Sequence, residues 1–121
     1  QLIEEKLSTE NGWPVFDLII LGMGADGHTA SIFPHQSELL ASEDICAVAT
    51  HPDSGQNRIS LTGKVINQAK EVIFLVTGTS KTPVLTEIFS QTGNWQSYPA
   101  SHIDPVGSLS WYLDEAAWKP D

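Results

Sequence analysis

Cysteine is nearly absent from this 121-residue sequence, where Cys46 is the only one. No internal disulfide and no cysteine-based zinc cluster can form, and a reducing, cytoplasmic setting is expected. Cations are scarce too: six Lys and Arg stand against fifteen Asp and Glu, for a formal charge of -9 and a pI near 4.6. A nucleic-acid surface draws on clustered Lys and Arg to neutralise phosphates, and these six are dispersed, so no nucleic-acid partner is expected. A small anionic ligand survives that exclusion, because one or two local cations and a helix N-terminus can hold a phosphate inside an acidic protein. No apolar run approaches the roughly 18 to 20 residues that span a bilayer, and no membrane partner is expected. No HExxH or Cys/His array suggests a metal site, and neither repeats nor low-complexity linkers interrupt the chain.

What is present suits a globular chain of one domain at most. Hydrophobic residues make up 40% and charged residues 17%, with four tryptophans and four phenylalanines to bury. A chain this short buries only about two-thirds of its extended surface, so any core is compact.

Gln1 to Leu7 is expected to be the tail of a helix, too short to be stable alone, broken by Asn11, Gly12 and Pro14. Val15 to Leu21 is apolar except for Asp17, the pattern of a buried central strand in a parallel sheet. Beyond the glycine-rich turn, Thr29 to Phe33 is expected to form a short helical turn stopped by Pro34, with a further turn or brief helix at Ser37 to Leu40. Cys46 to Thr50 and Arg58 to Leu61 read as strands across the polar loop His51 to Asn57. A helical piece around Lys64 to Ala69, a strand at Glu71 to Thr77, Gly78 and a helix from about Ser80 to Ser90 complete an α/β unit. Pro83 falls in that helix's first turn, and Val84, Leu85, Ile88 and Phe89 supply its buried stripe. Gly93 to Pro99 is a loop, Ser110 to Leu113 a terminal strand, and Asp114 a cap for a short helix through Ala117. Strands alternate with helical pieces, so the expected fold is a layered, mostly parallel α/β sheet.

Gly22, Gly24 and Gly27 satisfy GxGxxG after a strand, the spacing of a dinucleotide fingerprint. Two departures disfavour that reading: Glu43 and Asp44 precede the next apolar run instead of ending it, and Pro34 cuts short any long helix. The same turn places Asp26 and His28 at the C-terminal end of a strand, where open α/β sheets bind ligands. From spacing alone two readings stand: a catalytic corner, or an Asp26 that merely caps the turn beside a packed or solvent-facing His28.

The run Leu21-Gly22-Met23-Gly24-Ala25-Asp26-Gly27-His28-Thr29-Ala30-Ser31-Ile32-Phe33-Pro34 closely resembles the signature of 6-phosphogluconolactonases. Their fold is shared with glucosamine-6-phosphate deaminase and ribose-5-phosphate isomerase. The resemblance continues through Arg58-Ile59-Ser60-Leu61-Thr62, Phe74-Leu75-Val76-Thr77-Gly78 with Lys81, Tyr98-Pro99-Ala100-Ser101, and Trp111-Tyr112-Leu113-Asp114 with Ala116-Ala117. It implies a Rossmann-like sheet of the sugar-phosphate isomerase and lactonase type. It also implies hydrolysis of 6-phospho-D-glucono-1,5-lactone to 6-phospho-D-gluconate in the pentose phosphate pathway. Under it His28 transfers the proton, Asp26 belongs to the catalytic corner, Gly24 and Gly27 shape the substrate loop, and Arg58 and Lys81 match the basic positions around the phosphorylated sugar. No cofactor and no metal is expected, since the lactone is already an electrophilic ester.

Bland alternatives remain beside those roles. Arg58 can serve as a surface partner for an acidic residue, and Lys81 can be simply solvated. Lys81 near a helix start is oddly placed for the helix dipole, and a bound phosphate would reconcile the two. His51 and His102 read as ordinary surface histidines, Asp104, Pro105 and Gly107 as turn chemistry, and Trp13, Trp95, Trp111 and Trp118 as packing rather than a ligand platform.

A deaminase of the same fold is the enzymatic rival, but its GxGxDGH segment continues into Ala-Phe-Asn-Glu-Pro where this chain has Thr29-Ala30-Ser31-Ile32-Phe33-Pro34. The carboxylate expected before the proline is missing. A non-catalytic sugar-phosphate-binding module is the rival of a different class. The resemblance further implies that residues 1–121 are the C-terminal portion of a single domain, either a fragment of a longer product or a short protein needing a complement. Little or no activity of the isolated chain is then expected, with self-association or dependence on a missing N-terminal half.

Overall fold

The structure, a computed structural model, describes residues 9–10 and 13–118. The helical tail expected at Gln1 to Leu7 lies outside the described residues. A two-rung antiparallel ladder joins β1 (Thr9–Glu10) to β2 (Trp13–Pro14). The central sheet has three parallel strands in the order β3 (Ile19–Leu21), β6 (Glu71–Val76) and β7 (Ser108–Leu113). Between β3 and β6 the chain makes a separate antiparallel pair, β4 (Cys46–Thr50) with β5 (Asn57–Leu61), and the short helix α1 (Gly63–Asn67). Helix α2 (Thr82–Ser90) is the crossover from β6 to β7. The expected mostly parallel α/β sheet is thus present, with an antiparallel hairpin outside it.

Alternation along β6 decides which face is core. Val72, Phe74 and Val76 are buried and face α2, while Leu75 is exposed. In register, Ile19 lies beside Val72, and Leu21 beside Phe74, which lies beside Trp111. The Phe74 and Trp111 rings stack 4.1 Å apart. Val84 and Leu85 close this layer from α2, and the Thr82 hydroxyl donates to the carbonyls of Ala116 and Ala117 at 3.0 and 2.8 Å. The short helix expected through Ala117 is only a turn, which Asp114 caps: its Oδ1 accepts from the N–H of Ala117 at 2.8 Å and also from that of Gly78 at 3.1 Å.

Four expectations need correction. The apolar run Val15 to Leu21 pairs as a strand only over Ile19–Leu21, and its middle residue Ile20 is 62% exposed, because the second face of the three-stranded sheet is uncovered among the described residues. Thr29 to Phe33 is not helical: Thr29 and Ile32 exchange backbone hydrogen bonds at 2.9 and 3.3 Å around Ala30, whose φ is 52°. Pro34 begins a helical segment instead of stopping one. It opens the 3-10 stretch Pro34–Leu40, where its fixed φ and missing N–H suit a first turn, and it holds Phe33 extended at φ -97°, ψ 156°. Phe89 is 39% exposed rather than fully within the α2 stripe, and its ring meets Trp111 and Trp118 edge-on at 5.2 and 5.0 Å. The loop from Gly93 to Pro99 carries a 3-10 turn at Trp95–Ser97.

Candidate active site

The chain leaves β3 at Leu21 and turns back within a few residues. The Gly22 carbonyl accepts from the buried Thr29 hydroxyl at 2.8 Å, which holds the two ends of the turn together. Inside it, the N–H of Gly27 donates to the Gly24 carbonyl at 2.9 Å, and the N–H of Gly24 donates to the His28 carbonyl at 3.0 Å. Gly27 has φ 84°, a left-handed conformation that a residue with a Cβ takes at a cost. A Cβ there would also press on the Tyr98 ring, 2.6 Å from its Cβ and Cγ. Tyr98 is held in turn by its hydroxyl, which donates to Glu87 of α2 at 2.9 Å. Burial and the Glu87 carboxylate push that phenol's pKa up.

Asp26 and His28 form the polar centre of this turn. Asp26 Oδ1 accepts from the His28 backbone N–H at 3.0 Å and faces His28 Nδ1 at 2.6 Å. Burial raises the Asp26 pKa, but the backbone hydrogen bond, the imidazole hydrogen bond and the imidazole charge together outweigh it and hold the carboxyl below its ordinary value. At neutral pH Asp26 is therefore an acceptor only, and His28 Nδ1 carries the proton. His28 Nε2 has no hydrogen-bond partner among the described residues, and no polar side-chain atom there is both buried and unpartnered, so Nε2 is open to solvent. His28 lines a cavity of about 390 Å³ together with Ile20 to Gly24 and Ala30.

Gly24 makes room for this pair. A Cβ at Gly24 would collide with Cε1 and Nδ1 of His28 and lie 2.8 Å from Asp26 Oδ1. Lys81, in the 3-10 turn Thr79–Lys81 after β6, reaches back across the sheet end, and its ammonium donates to the Met23 carbonyl at 2.6 Å. Of the residues expected from sequence, His28, Asp26, Gly24, Gly27 and Lys81 are brought together here.

Arg58 stands apart. It is exposed on β5, with its guanidinium 3.5 Å from Gln56 Oε1. Ser60, on the same strand face two residues along, accepts from the N–H of Ser31 at 3.1 Å, so Arg58 lies about 7 Å along the strand from the point where β5 meets the turn. His102 is exposed, with Nε2 2.7 Å from the Gln96 carbonyl. His51 is half-buried against Phe33, and its Nδ1 accepts from the N–H groups of Asp53 and Ser54 at 3.1 and 3.2 Å. Phe33, Thr29 and Tyr98 have no assigned role in the sequence reading. Their signal there is only their place in the long run through Pro34 and in Tyr98-Pro99. Among the described residues no group of three His, Cys, Asp or Glu side chains is placed to hold a metal ion, and no helix is long and apolar enough to cross a membrane.

The chain is similar to known proteins in both sequence and fold. The family model described as glucosamine-6-phosphate isomerases/6-phosphogluconolactonase matches residues 1–111. The 6-phosphogluconolactonase of Haemophilus influenzae is 51% identical over 115 residues, covering 94% of this chain and 49% of that protein. The solved structure of a devB protein superposes with a TM-score of 0.90 at 46% identity, over 97% of this chain and 49% of that one. The 6-phosphogluconolactonase of Leishmania guyanensis does so with a TM-score of 0.81 at 31% identity, over 98% and 48%. The chain spans about half the length of the curated relatives it matches. On sequence and fold alike, it belongs to the glucosamine-6-phosphate isomerase/6-phosphogluconolactonase family.

Proposed function

We propose that this chain is the C-terminal portion of a single 6-phosphogluconolactonase-like domain and carries the proton-transfer half of its site. The reaction is hydrolysis of 6-phospho-D-glucono-1,5-lactone to 6-phospho-D-gluconate. One observation carries the reading: a cavity-lining imidazole at the end of a parallel strand, whose Nδ1 is held by a carboxylate while its Nε2 stays unpartnered and open to solvent. Such an Nε2 has a lone pair to take a proton from water as the water oxygen bonds to the lactone carbonyl carbon. The tetrahedral oxyanion then collapses, the bond from that carbon to the ring oxygen breaks, and Nε2 returns its proton to the departing ring oxygen. One group thus serves as base and then as acid, and Asp26 stabilises the imidazolium formed between the two steps.

The phosphate is assigned to Lys81 and Arg58. The Lys81 ammonium has three donors, one of which goes to Met23, leaving two for an anion at the cavity. Arg58 stands apart from the turn on β5, exposed, and is assigned to the distal end of the phosphorylated substrate on the family resemblance alone.

The test is a chimaera in which this chain replaces the matched segment of the H. influenzae relative, assayed for proton release from fresh lactone above the spontaneous rate. His28→Asn should lower its turnover roughly 10²- to 10⁴-fold with little change in KM. Unchanged turnover in a folded variant removes His28 from the mechanism. Ammonia release from glucosamine 6-phosphate without lactone hydrolysis would replace the lactonase reading with the deaminase one.

A further inference from the structure

We propose that Phe33 is a positioning residue for His28: its ring packs on the imidazole, whose Cε1 and Nδ1 also lie against the bare α-carbon of Gly24, so that the ring keeps one orientation. Only the catalytic consequence of this rests on the lactonase reading. A single hydrogen bond from Nδ1 to Asp26 prevents the ring from flipping, but it leaves the imidazole free to rock about that bond. Packing contacts on the ring reduce this freedom. The Phe33 ring centroid is 4.8 Å from that of His28, with the planes 39° apart. On the Gly24 side the backbone approaches so closely that a single added carbon would overlap Cε1 and Nδ1.

Phe33 is itself immobilised. It is 1% exposed, its backbone is held extended by the proline that follows, and two other imidazoles pack on it: His35 stacked at 6.0 Å and His51 edge-on at 5.4 Å. His51 is fixed in turn by the two backbone N–H groups it accepts at the end of β4. Support for the proton-transfer group therefore runs outward from His28 through Phe33 to the β4–β5 hairpin. An aliphatic side chain of similar volume would keep the core filled and lose the flat face.

The experiment is nitrogen-15 NMR of the histidine-labelled chain, with His28→Asn identifying the His28 signals. The parent should show one protonated and one bare ring nitrogen, sharply separated. In Phe33→Leu and in Phe33→Met that separation should persist, because Asp26 still holds Nδ1, but ring-nitrogen relaxation should show the imidazole more mobile than in the parent, while far-ultraviolet circular dichroism stays unchanged. Carbon-13 relaxation on the parent needs no variant: the His28 ring should be as ordered as the backbone of its own turn. A freely rocking parent ring, or a folded Phe33 variant whose His28 ring nitrogens relax like the parent's, overturns the proposal. In the chimaera, Phe33→Leu should lower kcat about tenfold with KM within about twofold. A chimaera that is inactive with Phe33 intact defeats the lactonase reading and leaves the ring-nitrogen result to decide the role of Phe33.

Discussion

Gly24→Ala isolates the space reserved beside the His28 ring. The backbone at Gly24 is not left-handed, so the substitution carries no conformational penalty and by itself should stabilise the folded chain by about 0.4 to 1 kcal/mol through the unfolded state. Against this stands the overlap of the new methyl with His28 Cε1 and Nδ1. Restoring an ordinary carbon contact of about 3.5 to 4.0 Å requires the imidazole to move by more than about 1 Å. The ring is backed by Phe33, so this overpacking should cost about 1 to 3 kcal/mol. Its catalytic cost is larger, because a misplacement of about 1 Å lowers rate on the order of 10²-fold. Gly22→Ala is the thermal reference: it makes the same chemical change on the same turn with no atom within 4 Å of the new methyl. The difference in melting temperature between the two variants then reports the clash alone, and kcat in the chimaera reports its effect on proton transfer. If Gly24→Ala melts with Gly22→Ala and keeps its turnover and His28 signals, the turn has room that the structure denies, and the reasoning fails.

Asp26→Asn should reveal a pH-dependent contribution of known sign. Because the folded-state pKa lies below the ordinary 3.8, the stability Asp26 adds is present above 3.8 and is lost as the pH falls through the lower folded value. A melting difference between parent and variant that persists unchanged into stronger acid would contradict this. Lys81→Ala and Arg58→Ala in the chimaera should reduce kcat/KM for the phosphorylated lactone more than for glucono-1,5-lactone, since charge-assisted contacts are lost only where the phosphate is present. Equal losses on both substrates would assign the two cations to folding. Thr29→Val should destabilise the chain by about 0.5 to 1.5 kcal/mol by removing the hydroxyl that closes the turn on Gly22, and an unchanged urea midpoint would deny that bond a role.

Elements whose signal is local were legible in the sequence. Cys46–Thr50 and the β6 strand appear where alternation and β-propensity put them, and Asp114 caps its turn. The family signature likewise marked the turn that holds Asp26 and His28. What escaped depended on tertiary context. Pro34 is read equally well as a helix stop or a helix start, and the choice is made by Thr29 and Ile32 bonding to each other across Ala30. An apolar run such as Val15 to Leu21 reports only that it can be buried; how many of its residues pair depends on β6, distant in sequence. Phe33 looks like any other apolar residue until His28, His35 and His51 are seen around its ring.

The wide sequence separation of the paired strands has a consequence for the order in which the molecule matures. β3, which ends at the candidate active turn, pairs with β6, about fifty residues later in the chain. During synthesis at about 5 to 20 residues per second, some 3 to 10 seconds pass between the emergence of the turn and that of its strand partner. Throughout that interval Ile32 and Phe33, fully buried in the finished protein, have no sheet to pack on. Closing so long a loop precedes any reward from the contacts it brings, so this strand pairing is expected to form slowly. The candidate active turn is thus written well before the strand that secures it, and until β6 emerges it is open to chaperones and to misassociation.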